Sequence, residues 1–416
     1  MTAWLGKTLS RHPRDNQETW RSIMKKKDHR CANFNALAVG FALVTLIFSA
    51  ATAHAKELMI GMSTALSGPA EALGNGMKAG VEAYFNKVNS AGGVNGNTLK
   101  LIALDDGYEP DKCAPNMRKL IDEQNVLAVI GNVGTPTAIV AVPIANEKKT
   151  LLFGAFTGAG VLRKSPPDRY VINYRASYAE ETADMIAGFL SAGIKPEEIA
   201  FFTQNDGYGD AGYSGGIKAL KTLGYADAEK LPHGRYTRNT VNIEDGLTTI
   251  ASENPNPKAI IMVGAYIPCA AFIKAAKEFF PDAVFANVSF VGSMALAREL
   301  GPAGDGVIVT QVVPHPESPL PGVVEYNKAM GSQTPDFVSL EGFLAAKIFV
   351  EGLNKAGAAP TNESVIDGIE SLNNLDIGIG VPVSFDKANH QASHKIWPTI
   401  IRNGKFVTLN WTELKK

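Results

Sequence analysis

Three groups of residues in this chain have the types and spacing that chemistry requires. Residues 212–216 (GYSGG) match G-x-S-x-G, the pattern around the nucleophilic serine of many hydrolases. His390 and His394 are four residues apart, a spacing that places two metal ligands on one face of a helix. Segment 105–111 (DDGYEPD) concentrates four carboxylates, which are suitable ligands for calcium. The sequence around each group decides whether that chemistry is supported.

The surrounding sequence favours structural roles for all three groups. A nucleophilic serine of this kind directly follows a strand, whereas the polar stretch 204–211 separates Ser214 from the strand predicted to end at Thr203. Ser214 is instead predicted at a helix start, where serine is favoured as a cap. The two histidines lie in a polar turn, and segment 105–111 lacks the D-x-D-x-D-G order of an EF-hand loop. We therefore predict no metal and no cofactor, and keep a secreted serine hydrolase acting through Ser214 as an alternative.

Composition excludes several broad classes of protein. The chain has 416 residues, is 45% hydrophobic and 19% charged, and carries a formal net charge of -1. No long block of lysine or arginine follows residue 55, which argues against nucleic-acid binding. G-x-x-x-x-G-K-[ST] does not occur, and no G-x-G-x-x-G is predicted to open a helix, so the usual phosphate-binding loops are not expected. Cys113 and Cys269 are predicted to be free, buried thiols.

The N-terminal 55 residues have the pattern of a secretory signal peptide. An apolar run at 37–51 is shorter than the roughly 20 residues that a membrane-spanning helix needs. Lysines and an arginine at 25–30 precede this run, and Ala53-His54-Ala55 follows it as an A-x-A cleavage site. We predict cleavage before Lys56 and take Met24 as the true start of translation. A single anchor helix is the alternative, and export of the mature chain is the expectation.

Beyond residue 55, short apolar runs alternate with helical patterns, which predicts parallel sheets flanked by helices. The series restarts after residue 173, so an α/β fold with two similar lobes is expected. The predicted strands cover 58–62, 99–104, 126–130, 151–153, 170–173, 199–203, 259–263, 284–287, 307–310, 381–385, 397–401 and 406–409, with Asn403-Gly404 as a hairpin turn. The predicted helices cover 72–90, 115–123, 137–147, 215–223, 270–279 and 339–356.

Several segments, in chain order, carry a resemblance to a known family. They include IGMSTALSGPAEALG (60–74), NSAGGVNGNTLKLIALDDGYEP (89–110), VIGNVGTPT (129–137), FGAFTGAG (153–160), TQNDGYGDAG (203–212), MVGAYIPCAAFIKAAKE (262–278) and SLEGFLAAKIFVEGLNKAG (339–357). Together they resemble the type I periplasmic solute-binding proteins, specifically the leucine/isoleucine/valine-binding family of branched-chain amino-acid-type ABC importers. The match spans nearly the whole predicted mature chain.

The resemblance implies two lobes joined by three crossings, with the ligand in the cleft between them. Lobe one would comprise 56–176 and 313–380, and lobe two 177–312 and 381–416. It also implies a periplasmic, non-enzymatic monomer that captures a small carboxylate-bearing solute by hinge closure and presents it to an ABC permease in the inner membrane. A ligand-sensing domain for a membrane receptor would use the same lobes and is a further alternative.

The same resemblance implies roles for individual residues. Thr135, Ala155 and Thr157 match the positions that bind the ligand carboxylate. Glu180 matches the acid that pairs with the ligand ammonium, although the family has an aspartate there. Tyr266 matches a tyrosine that closes over the ligand from lobe two.

Three positions depart from the leucine-binding pattern. Leu73 stands where the family has an aromatic residue over the ligand. Ser289 aligns near a second acid and cannot pair with an ammonium group. Tyr178 is an additional aromatic residue that could face the cleft. The sequence therefore leaves the ligand open among amino acids, amides, and aromatic or aliphatic carboxylates.

Overall fold

The computed structural model describes residues 56–415. The predicted signal peptide and the alternative start at Met24 lie outside these residues, and the predicted cleavage site lies at their edge. Within residues 56–415, every helix is too short or too polar to cross a membrane.

Two β-sheets organise the described chain. The first sheet has the order β2-β1-β3-β4-β5, and all its strands are parallel. The second has the order β12-β11-β10-β9-β8-β6-β7, with β11 and β12 antiparallel to their neighbours. The strands are β1 (Glu57–Thr64), β2 (Thr98–Asp105), β3 (Ala128–Ile130), β4 (Leu151–Phe153), β5 (Val171–Ile172), β6 (Ile199–Gln204), β7 (His233–Tyr236), β8 (Ala259–Val263), β9 (Val284–Asn287), β10 (Ile308–Gln311), β11 (Trp397–Arg402) and β12 (Lys405–Thr408).

Helices alternate with the strands, as the predicted βαβ series requires. They are α1 (Glu71–Ser90), α2 (Pro110–Arg118), α3 (Thr135–Lys148), α4 (Tyr178–Ser191), α5 (Gly207–Thr222), α6 (Glu244–Glu253), α7 (Tyr266–Phe279), α8 (Ser293–Leu300), α9 (Pro321–Met330), α10 (Phe337–Ala356) and α11 (Asn362–Glu370). Strands β3, β4 and β8 (AVI, LLF and AIIMV) are buried at every residue, as expected for parallel strands covered on both faces. The predicted α/β architecture with two sheets is confirmed.

Helices α1 and α10 cross with almost no space between their backbones. A methyl group on Gly80 would lie 1.9 Å from the Ser339 carbonyl oxygen, and one on Gly342 would lie 2.4 Å from the Met77 carbonyl oxygen. Any larger residue would force the two helices apart. This close crossing fixes the position of the first turns of α10, which carry Glu341.

Helix α5 begins earlier than its glycine-rich sequence predicts. We expected a polar loop over 204–211 and a helix near residue 215, but α5 starts at Gly207. Residues 207–212 (GYGDAG) therefore do open a helix as G-x-G-x-x-G, contrary to our expectation. Asp206 caps it by accepting a hydrogen bond from the Tyr208 backbone N–H at 3.0 Å. A methyl group on Gly215 would lie 2.6 Å from the Ala179 Cα, so this glycine allows α5 to pack closely on α4. Gly215 therefore allows two helices to pack closely and does not mark a loop.

The predicted strand at 381–385 is wrong, because only one bridge forms there, between Leu375 and Val383. The chain then runs beside the end of the first sheet. The Asn173 N–H donates to the His390 carbonyl at 2.7 Å, and the Ser393 N–H donates to the Tyr174 carbonyl at 2.9 Å. We propose on this basis that the last crossing between lobes follows Ser393, rather than residue 380.

Candidate functional site

The loops that follow the carboxyl ends of the two sheets contact each other. Phe156, after β4, and Phe290, after β9, have ring centroids 5.4 Å apart. Gln204, at the end of β6, donates to the Tyr108 hydroxyl at 3.1 Å. Ligands of open α/β sheets bind beyond the carboxyl ends of their strands. We call the region enclosed by these loops the cleft.

The three residues predicted to bind a carboxylate lie together on one side of the cleft. Thr135 is the first residue of α3, and its hydroxyl hydrogen-bonds to that of Thr157 at 2.6 Å. Thr135, Thr157 and Ala155 are all buried. Gly134 precedes the helix with φ of 105°, and no side chain caps the first turn. The N-terminal amides of α3 supply the partial positive charge that favours an anion.

Glu180, predicted to pair with a ligand ammonium, forms part of a helix cap. Its carboxylate accepts from the Ser177 backbone N–H at 2.6 Å, while the Ser177 hydroxyl accepts from the Glu180 N–H at 3.2 Å, forming a capping box. Gln391 and His394 also contact this carboxylate, at 3.0 and 2.5 Å. Partial burial would raise the pKa of Glu180, but the hydrogen bonds from Ser177 and its other neighbours lower it. The Glu180 carboxylate is therefore engaged within the protein, and its ammonium-binding role stays a prediction.

The acid that reaches the interior is the next residue, Glu181. Its fully buried carboxylate accepts from the Ser289 backbone N–H at 2.7 Å, the Ser289 hydroxyl at 2.9 Å and the Thr310 hydroxyl at 2.6 Å. Burial raises the pKa of Glu181, although nearby Arg175 and these hydrogen bonds oppose the rise. Ser289, predicted as a pocket residue, therefore lies against an acid that the sequence reasoning missed.

Arg175 and Glu341 are two further charged residues that sequence reasoning missed. Arg175 is fully buried, and its Nη2 donates to the Ser289 hydroxyl and lies 3.8 Å from Glu181. Its Nε lies 3.6 Å from Glu341, and neither Nε nor Nη1 has a hydrogen-bond partner among the described residues. Burial raises the pKa of Glu341 to about 7 against the opposing effect of Arg175.

Aromatic rings surround these charged groups. The Arg175 guanidinium carbon lies 4.6 Å from the centre of the Phe156 ring. Tyr178, predicted to face the cleft, is fully buried with its ring 5.2 Å from that of Tyr208, which lies 4.5 Å from Phe290. The Tyr178 hydroxyl faces Thr157 without making a hydrogen bond of normal geometry. The buried charges are therefore enclosed by aromatic rings that pack on one another.

Tyr266 bridges the two sets of loops. It is the first residue of α7, and its hydroxyl accepts from the Ala72 backbone N–H, at the start of α1, at 3.5 Å. Next to it, a methyl group on Gly292 would lie 2.5 Å from Leu73 Cδ2 and 3.4 Å from Tyr266 Cδ1. Leu73 stands where the family has an aromatic residue. It therefore places an aliphatic side chain next to Gly292 and Tyr266, at the starts of α8 and α7.

The other chemistries raised by the sequence find no support. Ser214 is exposed in the middle of α5, beside a surface depression of about 510 Å³, so the predicted position at a helix start is wrong. His233 stacks on Tyr213 at 3.9 Å, and its Nε2 contacts the Thr203 hydroxyl rather than a serine. His390 is buried against Glu370 at 3.0 Å. Within residues 56–415, no group of three or more His, Cys, Asp or Glu residues could hold a metal.

Comparison with known proteins agrees with this architecture. A family model described as "Periplasmic binding protein" matches residues 57–405. The chain belongs to this family. It is therefore a non-enzymatic solute-binding protein with the two-lobed fold of its relatives.

Two solved structures and one relative illustrate the range of similarity. A possible leucine/isoleucine/valine-binding protein from Rhodopirellula baltica is 49% identical, with a TM-score of 0.85, over 88% of this chain and all of that one. A substrate-binding periplasmic protein from Ralstonia solanacearum is 27% identical, with a TM-score of 0.78, over 85% and 100% of the two chains. Leu/Ile/Val-binding protein homolog 7 of Brucella melitensis is 25% identical, covering 89% of this chain and 95% of that protein.

Proposed function

We propose that the protein captures a small carboxylate-bearing solute between its lobes and presents it to an ABC permease. The observation that carries this proposal is the cleft itself, where buried polar and charged side chains from both sheets meet. Relatives named for leucine, isoleucine and valine support an amino acid or a related acid or amide as the solute. We include Thr135, Ala155, Thr157, Tyr178, Tyr266 and Ser289 among the residues that line the binding site.

Closure of the lobes would couple binding to recognition by the permease. A ligand that contacts both lobes binds the closed form more tightly than the open form, and this difference in affinity drives closure. Contacts such as that between Tyr266 and Ala72 exist only when the loops are together. The permease would then distinguish the closed, loaded protein from the open one.

Small-angle scattering tests the closure mechanism. We expect a decrease in the radius of gyration when the protein is titrated with the amino acid or carboxylate that calorimetry shows to bind. Tyr266→Ala should release that ligand about tenfold faster, because it removes aromatic contacts and a bridging hydroxyl at the cleft. Tyr225→Ala, three residues beyond the end of α5, is the matched control. A radius of gyration unchanged at saturating ligand would contradict closure.

The exported form should begin at Lys56. The short apolar run and the A-x-A site that ends at Ala55 support cleavage there, in keeping with the periplasmic setting of the family. N-terminal sequencing of protein from the periplasmic fraction should read Lys-Glu-Leu-Met. Recovery of a chain that still begins at Met1 or Met24 would contradict this prediction.

A receptor-linked sensor is the second candidate function, since the same lobes could present the ligand to a membrane receptor. Transport assays separate the two candidates: deletion of the gene should abolish uptake of the bound solute by an importer.

A further inference from the structure

The acidic segment 105–111 joins the two sheets through one of its carboxylates. Asp105 and Asp106 accept hydrogen bonds from β1 and from the loop that follows it. Glu109, four residues after β2, instead accepts from Arg238 Nη2 at 2.7 Å. Arg238 follows β7, an edge strand of the second sheet, so this ion pair joins loops of both sheets. The segment that the sequence raised for calcium therefore contains an inter-sheet contact.

Both carboxylate oxygens of Glu109 are held from the second sheet. While Oε2 accepts from Arg238, Oε1 accepts from Asn239 Nδ2 at 2.7 Å, and Asn239 also donates to the Gly107 carbonyl at 3.2 Å. Asp206, which caps α5, accepts from Arg238 Nη1 at 3.0 Å. This last contact lies within the second lobe, so it positions the guanidinium before the first lobe reaches it. We call Glu109, Arg238 and Asn239 the latch.

The latch and the crossings follow opposite edges of the first sheet, β2 and β5. Tyr174, after β5, accepts from the Ser393 N–H at 2.9 Å and donates to the Val312 carbonyl at 3.2 Å, so the segments that pass between the sheets meet there. The two edges are four strand spacings apart, about 19 Å. A rotation of about 10° around the crossings would therefore separate the latch groups by about 3 Å. That displacement breaks their hydrogen bonds.

The surroundings of the latch make its strength depend on ionic strength. The side chains of Arg238 and Glu109 are 23% and 36% exposed, so dissolved ions reach the pair and screen it in part. The Tyr108 ring centre lies 5.9 Å from the Arg238 guanidinium carbon and covers one side of it. The pair is therefore stronger than a fully exposed one and weaker than a buried one.

We propose that the latch stabilises the closed form before a solute binds. Its three members are positioning residues, which act on affinity by holding the lobes together. A solute that bridges the lobes binds the closed form more tightly, so a larger closed population in the free protein raises the apparent affinity. The inference rests on the proposed function and adds an ionic control of closure to it.

Small-angle scattering of the dialysed protein, with no solute added, tests the latch. We expect the radius of gyration of the wild type to increase between about 20 mM and 500 mM NaCl, because salt screens the pair. Glu109→Gln removes the charge that faces Arg238, so it should have the larger radius at both salt concentrations. Asp210→Asn is the matched control, since it removes one negative charge from a pair with Arg235 that lies within the second lobe. This control should behave like the wild type.

Binding kinetics give a second measure of the same effect. The probes are L-leucine, L-isoleucine and L-valine, for which relatives of this chain are named. For each that binds, Glu109→Gln should weaken affinity by about threefold to tenfold, mostly through faster release. Arg238→Lys keeps the charge but has fewer donors, so it should fall between the wild type and Glu109→Gln. Asp210→Asn should leave affinity unchanged.

Thermal unfolding of each variant separates the latch from a purely structural ion pair. A structural pair predicts a changed melting temperature for Glu109→Gln with the same radius of gyration and the same affinity as the wild type. That result would overturn the proposal. So would a single radius shared by the wild type and Glu109→Gln at both salt concentrations.

The scattering data also distinguish failure of this inference from failure of the proposed function. If an amino acid decreases the radius of gyration, but neither salt nor Glu109→Gln changes the radius of the free protein, the latch is overturned and the solute-binding function stands. If salt and Glu109→Gln both change that radius while no amino acid or carboxylate binds, the latch is supported and the proposed function is contradicted.

Discussion

Replacement of Glu341 by glutamine is expected to raise the free energy of unfolding by about 3 kcal/mol at pH 8, and to change it little near pH 4. Burial raises the pKa of this acid to about 7 from an ordinary value of 4.5, although Arg175 lies 3.6 Å away. Between these two values the folded protein retains a proton that the unfolded chain has released. Stability of the wild type therefore falls as pH rises through this window.

Glutamine resembles the protonated acid in shape and charge, so the variant lacks this pH-dependent loss. Arg175 keeps its contacts with Ser289 and Glu181 in the variant. Denaturant unfolding of both proteins between about pH 4 and pH 8 measures the difference, which should grow steadily between about pH 4.5 and pH 7. Glu351→Gln should remain parallel to the wild type throughout. A difference that is the same at all pH values would show that the Glu341 carboxylate is fully stabilised by its neighbours.

A variant that gains stability at pH 8 identifies Glu341 as an acid that the fold retains at a cost to its own stability. Such a compromise is common at functional sites. A variant that loses stability identifies it as a structural partner of Arg175.

Much of the fold could be predicted from sequence because its signals are local. Strands such as β4 and β8 are short apolar runs, and their predicted bounds, 151–153 and 259–263, agree with the structure. The Asn403-Gly404 turn between β11 and β12 was likewise identified correctly. Helix α5 was misjudged because its glycines signal a loop, whereas their contacts with α4 are visible only in three dimensions. Prediction failed where the structure of one helix depends on its contacts with another helix.

The site was harder to predict because its members come from distant segments. Arg175 precedes α4, while Glu341 lies on α10, and no local pattern links them. Two signals were nevertheless present. Ser177 and Glu180 form an S-x-x-E capping box, which indicates that the Glu180 carboxylate turns back toward the helix start. A single acid within the apolar stretch SLEGFL of α10 marks Glu341 as a buried charge.

Glu181→Ala should lower the free energy of unfolding by about 3–5 kcal/mol, the usual cost of removing one member of a buried ion pair. The change leaves the Ser289 N–H, the Ser289 hydroxyl and the Thr310 hydroxyl without their acceptor inside the protein. It also removes one of the two acids that face Arg175. These losses act together, because all four groups converge on one carboxylate.

The neighbouring acid supplies the control. Glu180→Ala removes only the partly buried acid of a capping box and its contacts with Gln391 and His394, so it should cost about 1 kcal/mol. Denaturant unfolding at pH 7 compares the two variants directly. The resemblance implies that Glu180 pairs with the ligand ammonium. The geometry instead shows that Glu181 is the acid whose hydrogen bonds hold the cleft together. If both substitutions cost the same, the hydrogen bonds at Glu181 contribute no more to stability than a helix cap does. A cost at Glu181 several times that at Glu180 is what the contacts with Ser289 and Thr310 require.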